Sequence, residues 1–143
     1  MPTDPTRVVD TSLRAALDRV GDRWVLLVVE ALADAPQRFG DLQVRVGAAP
    51  NILTDRLRRL EADGLVTATR YSDRPVRFQY DLTASGRELA RALVALAAWG
   101  GAGEGGPGGR FHDACGTAVE LRAWCPTCDR PVTDDESPST YDV

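Results

Sequence analysis

Pro50-Asn51-Ile52-Leu53-Thr54-Asp55-Arg56-Leu57-Arg58-Arg59-Leu60-Glu61-Ala62-Asp63-Gly64-Leu65 has the punctuation and spacing of an amphipathic helix. Proline is at home in the first turn of a helix, where its missing N–H leaves no bond unmade. Gly64 is suited to the stop, because glycine takes the left-handed conformation that closes a helix. Leu53, Leu57 and Leu60 have the i, i+4, i+7 spacing of a core-facing stripe. At about 100° per residue, Asn51, Thr54, Asp55 and Arg58 fall on the opposite face, with Arg59 at its edge.

The sequence on either side of this helix extends the pattern. Asp10, Thr11 or Ser12 can cap a first helix reaching about Val20, with Leu13, Ala16, Leu17 and Val20 on one side. Asp22 can cap a second, over residues 24–33, that is apolar nearly all round and so predicted to be buried. Pro36 closes it, and Phe39-Gly40-Asp41-Leu42 opens a short third helix ending near Gly47. Downstream, residues 65–70 and 76–82 alternate as strands, with residues 71–75 as the turn. Val76, Phe78, Tyr80 and Leu82 share one side of the second strand, and Arg77, Gln79 and Asp81 the other. Thr83 can cap a last helix to about Trp99, where Leu89, Leu93 and Leu96 form a stripe and Val94, Ala97 and Ala98 widen it beyond one core face.

Short helices, one with a polar outer face, followed by an arginine-bearing hairpin, make a winged helix-turn-helix. The fold class is α+β, mainly helical. The major groove of DNA admits one helix, and its base edges are read by side chains that donate or accept in pairs. Asn51, Thr54 and Arg58 are such types, and Arg59 borders them. Arg70, Arg74 and Arg77 on the hairpin suit phosphates or the minor groove. Between Pro36 and Tyr80 there are eight Arg and five acids, a local +3.

The order ALDRVGDRW (residues 16–24), FGDL (39–42), ILTDRLRRLEADGL (52–65), YSDRPVRFQY (71–80) and LTASGR (82–87) resembles the HxlR-type transcriptional regulators, relatives of the MarR type. The resemblance runs collinearly over residues 10–100. It implies a homodimer that binds near-palindromic double-stranded DNA and pairs through its first and last helices, so Leu13, Leu17, Leu89, Leu93, Leu96 and Trp99 become the expected dimer contacts. It also suggests a small-molecule effector. Many members of the family carry a sensing cysteine at the start of the first helix. Here Thr11 and Ser12 stand there and residues 1–111 contain no cysteine, which excludes redox sensing by that route.

The 143 residues carry a net charge of −4, which by itself argues against a nucleic-acid partner. The charge is unevenly divided. Residues 1–111 hold 15 Arg against 14 acids, and residues 112–143 hold 2 Arg against 7 acids. The deficit therefore belongs to the tail. No apolar run approaches the ~20 residues of a membrane span, and Met1–Pro5 lacks the basic-then-apolar order of a secretory signal. A cytoplasmic protein is expected. The divisions expected are a DNA-binding and dimerising body (7–99), a linker (100–109) in which seven of ten residues are Gly, a knuckle (110–133) and an acidic end (134–143).

All three cysteines and the only histidine lie within 17 residues, as His112-x2-Cys115-x9-Cys125-x2-Cys128. Two x2 pairs offer four ligands to a tetrahedral ion, so one structural Zn²⁺ per chain is expected on a zinc-ribbon-like appendage. Residues 117–124 alternate like a strand between the knuckles. An iron–sulfur cluster remains the alternative occupant. Four protein ligands leave no coordination position for a reacting water, and no other nucleophile–base pair appears, so no enzyme is expected. The alternative function is a protein–protein module that recruits a partner through its acidic tail.

Overall fold

The computed structural model describes residues 11–101, 111–120 and 122–136. Asp10 and residues 102–109 of the expected linker lie outside them, as does the acidic end beyond residue 136. The chain forms two units, residues 1–93 and 94–143.

In the first unit, α1 (Thr11–Val20) leads to Asp22, whose carboxylate accepts from the backbone N–H of Trp24 (2.9 Å) and Val25 (3.2 Å) and so caps α2 (Arg23–Ala31). A cap of this type is worth about 1 kcal/mol. A two-residue strand, β1 (Gln37–Arg38), follows and was not foreseen from the sequence; two residues are too few to show a period. Then come α3 (Phe39–Val46) and α4 (Pro50–Ala62). Both end on a glycine with positive φ, Gly47 (71°) and Gly64 (69°), a backbone conformation that costs other residues a Cβ clash.

The strands β2 (Val66–Asp73) and β3 (Val76–Leu82) form the hairpin, and the sheet order is β1-β3-β2, antiparallel throughout. The hairpin is longer than expected, with Arg74 and Pro75 alone at its tip. The register explains why. Arg70 pairs with Phe78 and Ser72 with Arg77, so Tyr71 is an extra residue, a bulge that interrupts the alternation on which the strand end was predicted. Thr83 caps α5 (Ala84–Gly101): its hydroxyl donates to the Gly64 carbonyl (2.7 Å) and accepts from Gly86 N–H (3.1 Å). The helix runs two residues into the glycine-rich stretch.

The core is made by α2, α3, α4 and the base of the hairpin. Val25, Val28, Val29, Leu32, Leu42, Leu53, Leu57 and Leu60 are each less than 2% exposed, and Leu65, Val66 and Leu82 join them. The all-round burial expected of α2 fails at Leu27, which is 38% exposed. The apolar side of β3 is buried only at Leu82 and half-buried at Tyr80. Phe78 and Val76 are exposed, because the hairpin extends beyond the helices that cover its base.

The second unit takes in residues 94–101 of α5, and its other described residues are organised by turns. Phe111 bridges Ala118, His112 N–H donates to the Thr117 carbonyl (2.8 Å), and β4 (Trp124–Cys125) pairs with β5 (Arg130–Pro131). Of the strand expected over residues 117–124, the described residues form only the bridge at Ala118 and, at Trp124, the start of β4. Asp134–Glu136, expected in the flexible acidic end, form a 3-10 turn, and Glu136 pairs with Arg130. Among the described residues no helix is long and apolar enough to cross a membrane.

Candidate nucleic-acid interface and cysteine knuckles

Three sides of α4 have three different surroundings. Leu53, Leu57 and Leu60 enter the core. Asn51, Asp55 and Arg58 are exposed and Thr54 is half-buried, its hydroxyl donating to the Pro50 carbonyl (2.8 Å) while its oxygen can still accept. Arg58 has no hydrogen bond or ion pair among the described residues.

The third side faces the corner between α1 and α2. There Arg56 Nη2 donates to Asp22 Oδ2 (2.9 Å), and the guanidinium holds the Asp22 carboxyl below the usual carboxylate range, against the opposing effect of burial. Arg59, which the sequence places at the edge of the reading face, is turned to this side as well: its Nη2 donates to the carbonyls of Asp18 (2.9 Å) and Arg19 (2.8 Å). Asp55 pairs with its neighbour Arg56. That leaves Arg58 without an intrahelical carboxylate.

On the hairpin, Arg70 Nε lies 3.3 Å from Asp73 Oδ1, a pair between exposed groups and therefore weak. Arg74 and Arg77 are exposed and have no ion pair among the described residues. The bulged Tyr71 stacks under Arg38, whose guanidinium carbon is 4.7 Å from the ring centroid. Arg38, Tyr71, Arg77 and Phe78 help to line a groove of about 540 Å³ between the start of α3 and the hairpin. Sequence reasoning passed over Arg38 and Arg56. Only the three-residue step from Arg56 to Arg59 could have hinted that both lie on one flank.

Of the expected dimer contacts, Leu13 (52% exposed), Leu17 (55%), Leu96 (52%) and Trp99 (79%) are open in the single chain, whereas Leu89 and Leu93 are half-buried against the core.

The four expected metal ligands form two pairs. His112 Nδ1 is 3.3 Å from Cys115 Sγ, in a turn where Cys115 N–H and Gly116 N–H both donate to the His112 carbonyl (3.1 and 2.7 Å). Hydrogen bonds from the Thr117 side chain and then His112 hold the Cys115 thiol below its ordinary range. Cys125 is likewise lowered, first by the Cys128 backbone N–H. Among the described residues no group of three or more His, Cys, Asp and Glu gathers where one ion could be held, so each knuckle is formed but the two are not brought together.

The family model described as HxlR-like helix-turn-helix matches residues 19–104. An uncharacterized HTH-type transcriptional regulator of Mycobacterium tuberculosis (strain ATCC 25618 / H37Rv) is 36% identical over 126 residues, covering 85% of this chain and 80% of that protein. YvaP of Bacillus subtilis (strain 168), also an uncharacterized HTH-type transcriptional regulator, is 36% identical over 88 residues, 59% of this chain and 79% of its own. Among solved structures, a candidate transcription factor of Pseudomonas aeruginosa (PA1374) superposes with a TM-score of 0.67 at 30% identity, covering 90% of both chains. The reduced form of the transcriptional regulator YodB from B. subtilis gives 0.56 at 26% identity over 66% of this chain and 93% of that one. With its helices, its short strand β1 and its hairpin in the order that the family model spans, this chain belongs to the HxlR-like helix-turn-helix family.

Proposed function

We infer that the protein is a DNA-binding transcriptional regulator, not an enzyme, that reads the major groove with α4 and holds the backbone with its hairpin. One observation carries this reading: the outward side of α4 offers Asn51, Thr54 and an exposed Arg58 with no ion pair among the described residues, and the hairpin adds the exposed Arg74 and Arg77. Arginine can bind guanine bidentately and Asn adenine, each such pair discriminating by about 1–3 kcal/mol. Arg70 completes the hairpin set, its pair with Asp73 being weak enough to exchange for a phosphate. Arg59, already bonded to the end of α1, is left out of the base-reading set.

The same reading makes the regulator a homodimer. The exposed leucines of α1 and the exposed Leu96 and Trp99 of α5 are apolar area that a second copy would remove from water. Two copies of α4 one helical turn apart would then read a near-palindromic site. A small-molecule effector belongs to the proposal without assigned residues.

Arg58→Ala should relax preference at one base pair and cost about 1–3 kcal/mol there, whereas Arg74→Ala should weaken binding on all sequences and reduce the salt slope by about one. Fluorescence anisotropy on specific and scrambled duplexes over a salt series measures both. Equal affinities for wild type and both variants would remove the assignment.

Structural zinc, one ion per chain, is part of the proposal for residues 111–136. Three thiols and an imidazole suit a tetrahedral zinc ion, and the thiols of Cys115 and Cys125 are already shifted toward the thiolates that bind it. His112, Cys115, Cys125 and Cys128 would hold it by closing on one ion the two turns that stand apart here, and the ion would then supply folding free energy to a segment too small for a core. Elemental analysis of the protein as purified should return about one zinc per chain, and Cys125→Ser should lose it. Iron in place of zinc, or zinc content unchanged in the variant, would contradict this.

A further inference from the structure

Three links join the α1–α2 corner to one flank of α4. Arg59 Nη2 reaches the carbonyls of Asp18 (2.9 Å) and Arg19 (2.8 Å), in the last turn of α1. Arg19 Nη2 returns to the carbonyl of Asp63 (3.3 Å), the C-cap of α4. Arg56 holds Asp22, which in turn caps α2. The last carbonyls of a helix have no intrahelical donor and carry the negative end of its dipole, so a guanidinium there satisfies both needs. Here each helix supplies the arginine that caps the other.

Among the described side chains of α1 only Val20 is buried. On α4, Arg56, Arg59 and Asp63 follow one another by three and four residues and so occupy a single flank, about 100° around the helix from the stripe of Asn51 and Arg58. A shift of α1 therefore reaches α4 through this flank without passing through its outward side.

We propose that Arg59, with Arg19 and the Asp22–Arg56 pair, is a positioning residue that couples the placement of α1 to that of the DNA-reading helix. The proposal rests on α4 being that helix. Its consequence is regulatory. The opposite side of α1 carries Leu13 and Leu17, exposed in the single chain and proposed above to be covered by the second copy, so a change in how that copy seats on α1 would change DNA affinity by moving α4.

Two readouts on the full chain test it. The first is anisotropy with DNA from upstream of its own gene, across a salt series. Arg59→Ala should lower affinity about tenfold, as the loss of a charge-assisted hydrogen bond would, and leave the slope of log K against log salt unchanged. A phosphate contact would instead lower that slope by about one. The second is hydrogen exchange. Arg59→Ala should speed exchange in the last turn of α1 while α2 and the core of α4 keep their protection, and Arg59→Lys, which still reaches one carbonyl, should recover part of both effects. A reduced slope with α1 exchange unchanged would overturn the proposal and make Arg59 a DNA contact. Faster α1 exchange in Arg59→Ala with full DNA affinity would overturn the coupling while leaving the proposed function standing. Wild-type protein that does not distinguish this DNA from random DNA would overturn the function, and with it the coupling.

Discussion

Leu57→Ala is expected to lower the unfolding free energy of the first unit by about 2–5 kcal/mol, the range for removing a buried leucine and leaving a cavity. Leu57 is 1% exposed and belongs to one cluster with Val25, Val28 and Leu42. It is also the middle residue of the stripe that seats α4, so the cavity would open beneath the proposed reading helix. For a unit of this size each kcal/mol shifts the melting temperature by roughly 4–8 °C, so a fall of about ten degrees or more is predicted by circular dichroism. A change of only a degree or two would mean that α4 is not packed as described.

Gly86→Ala is expected to destabilise as well, against the usual sign. In an unobstructed helix interior alanine is favoured over glycine by about 1 kcal/mol. At Gly86, a buried position in the first turn of α5, an added Cβ would stand 2.1 Å from the Leu65 carbonyl oxygen and 3.1 Å from Leu82 Cδ2. That oxygen cannot easily yield, because it accepts the Thr83 N–H (3.0 Å) at the helix start. Overpacking of this kind costs typically about 1–3 kcal/mol, more than propensity returns. Urea unfolding should show a lower midpoint. A higher midpoint would show that α5 does not approach Leu65 so closely.

These two residues also show what kind of information the sequence contained. Leu57 was legible, since the spacing of Leu53, Leu57 and Leu60 is a local signal and the helix they mark has the bounds that Pro50 and Gly64 implied within a residue or so. Gly86 was not, because the atom that excludes a side chain there belongs to Leu65, across the fold. The partners of Arg59 were hidden for the same reason. Its angular position left it at the edge of the outward face, and its partners are the carbonyls of residues 40 and 41 positions earlier in the chain. Tyr71 misled the strand boundary because a bulge removes the period-two signal where it occurs. In the cysteine-bearing segment each x2 pair lies in a turn, and the nine residues between Cys115 and Cys125 do not by themselves bring the two together.

The net charge of −4 takes its meaning from the same distribution. The exposed arginines Arg58, Arg74 and Arg77 lie in the near-neutral first 111 residues, and the excess of acid lies beyond them. The chain's overall sign is therefore a poor guide to the charge of the surface proposed to meet DNA.

Quantitative footprinting of the full chain on the DNA upstream of its own gene decides whether α4 reads DNA. A protected site of two half-sites about one helical turn apart is expected, with log affinity that falls linearly in log salt and drops in Arg58→Ala and Arg74→Ala. An unprotected ladder, with affinity for that DNA no greater than for random DNA at every salt concentration, would contradict that reading.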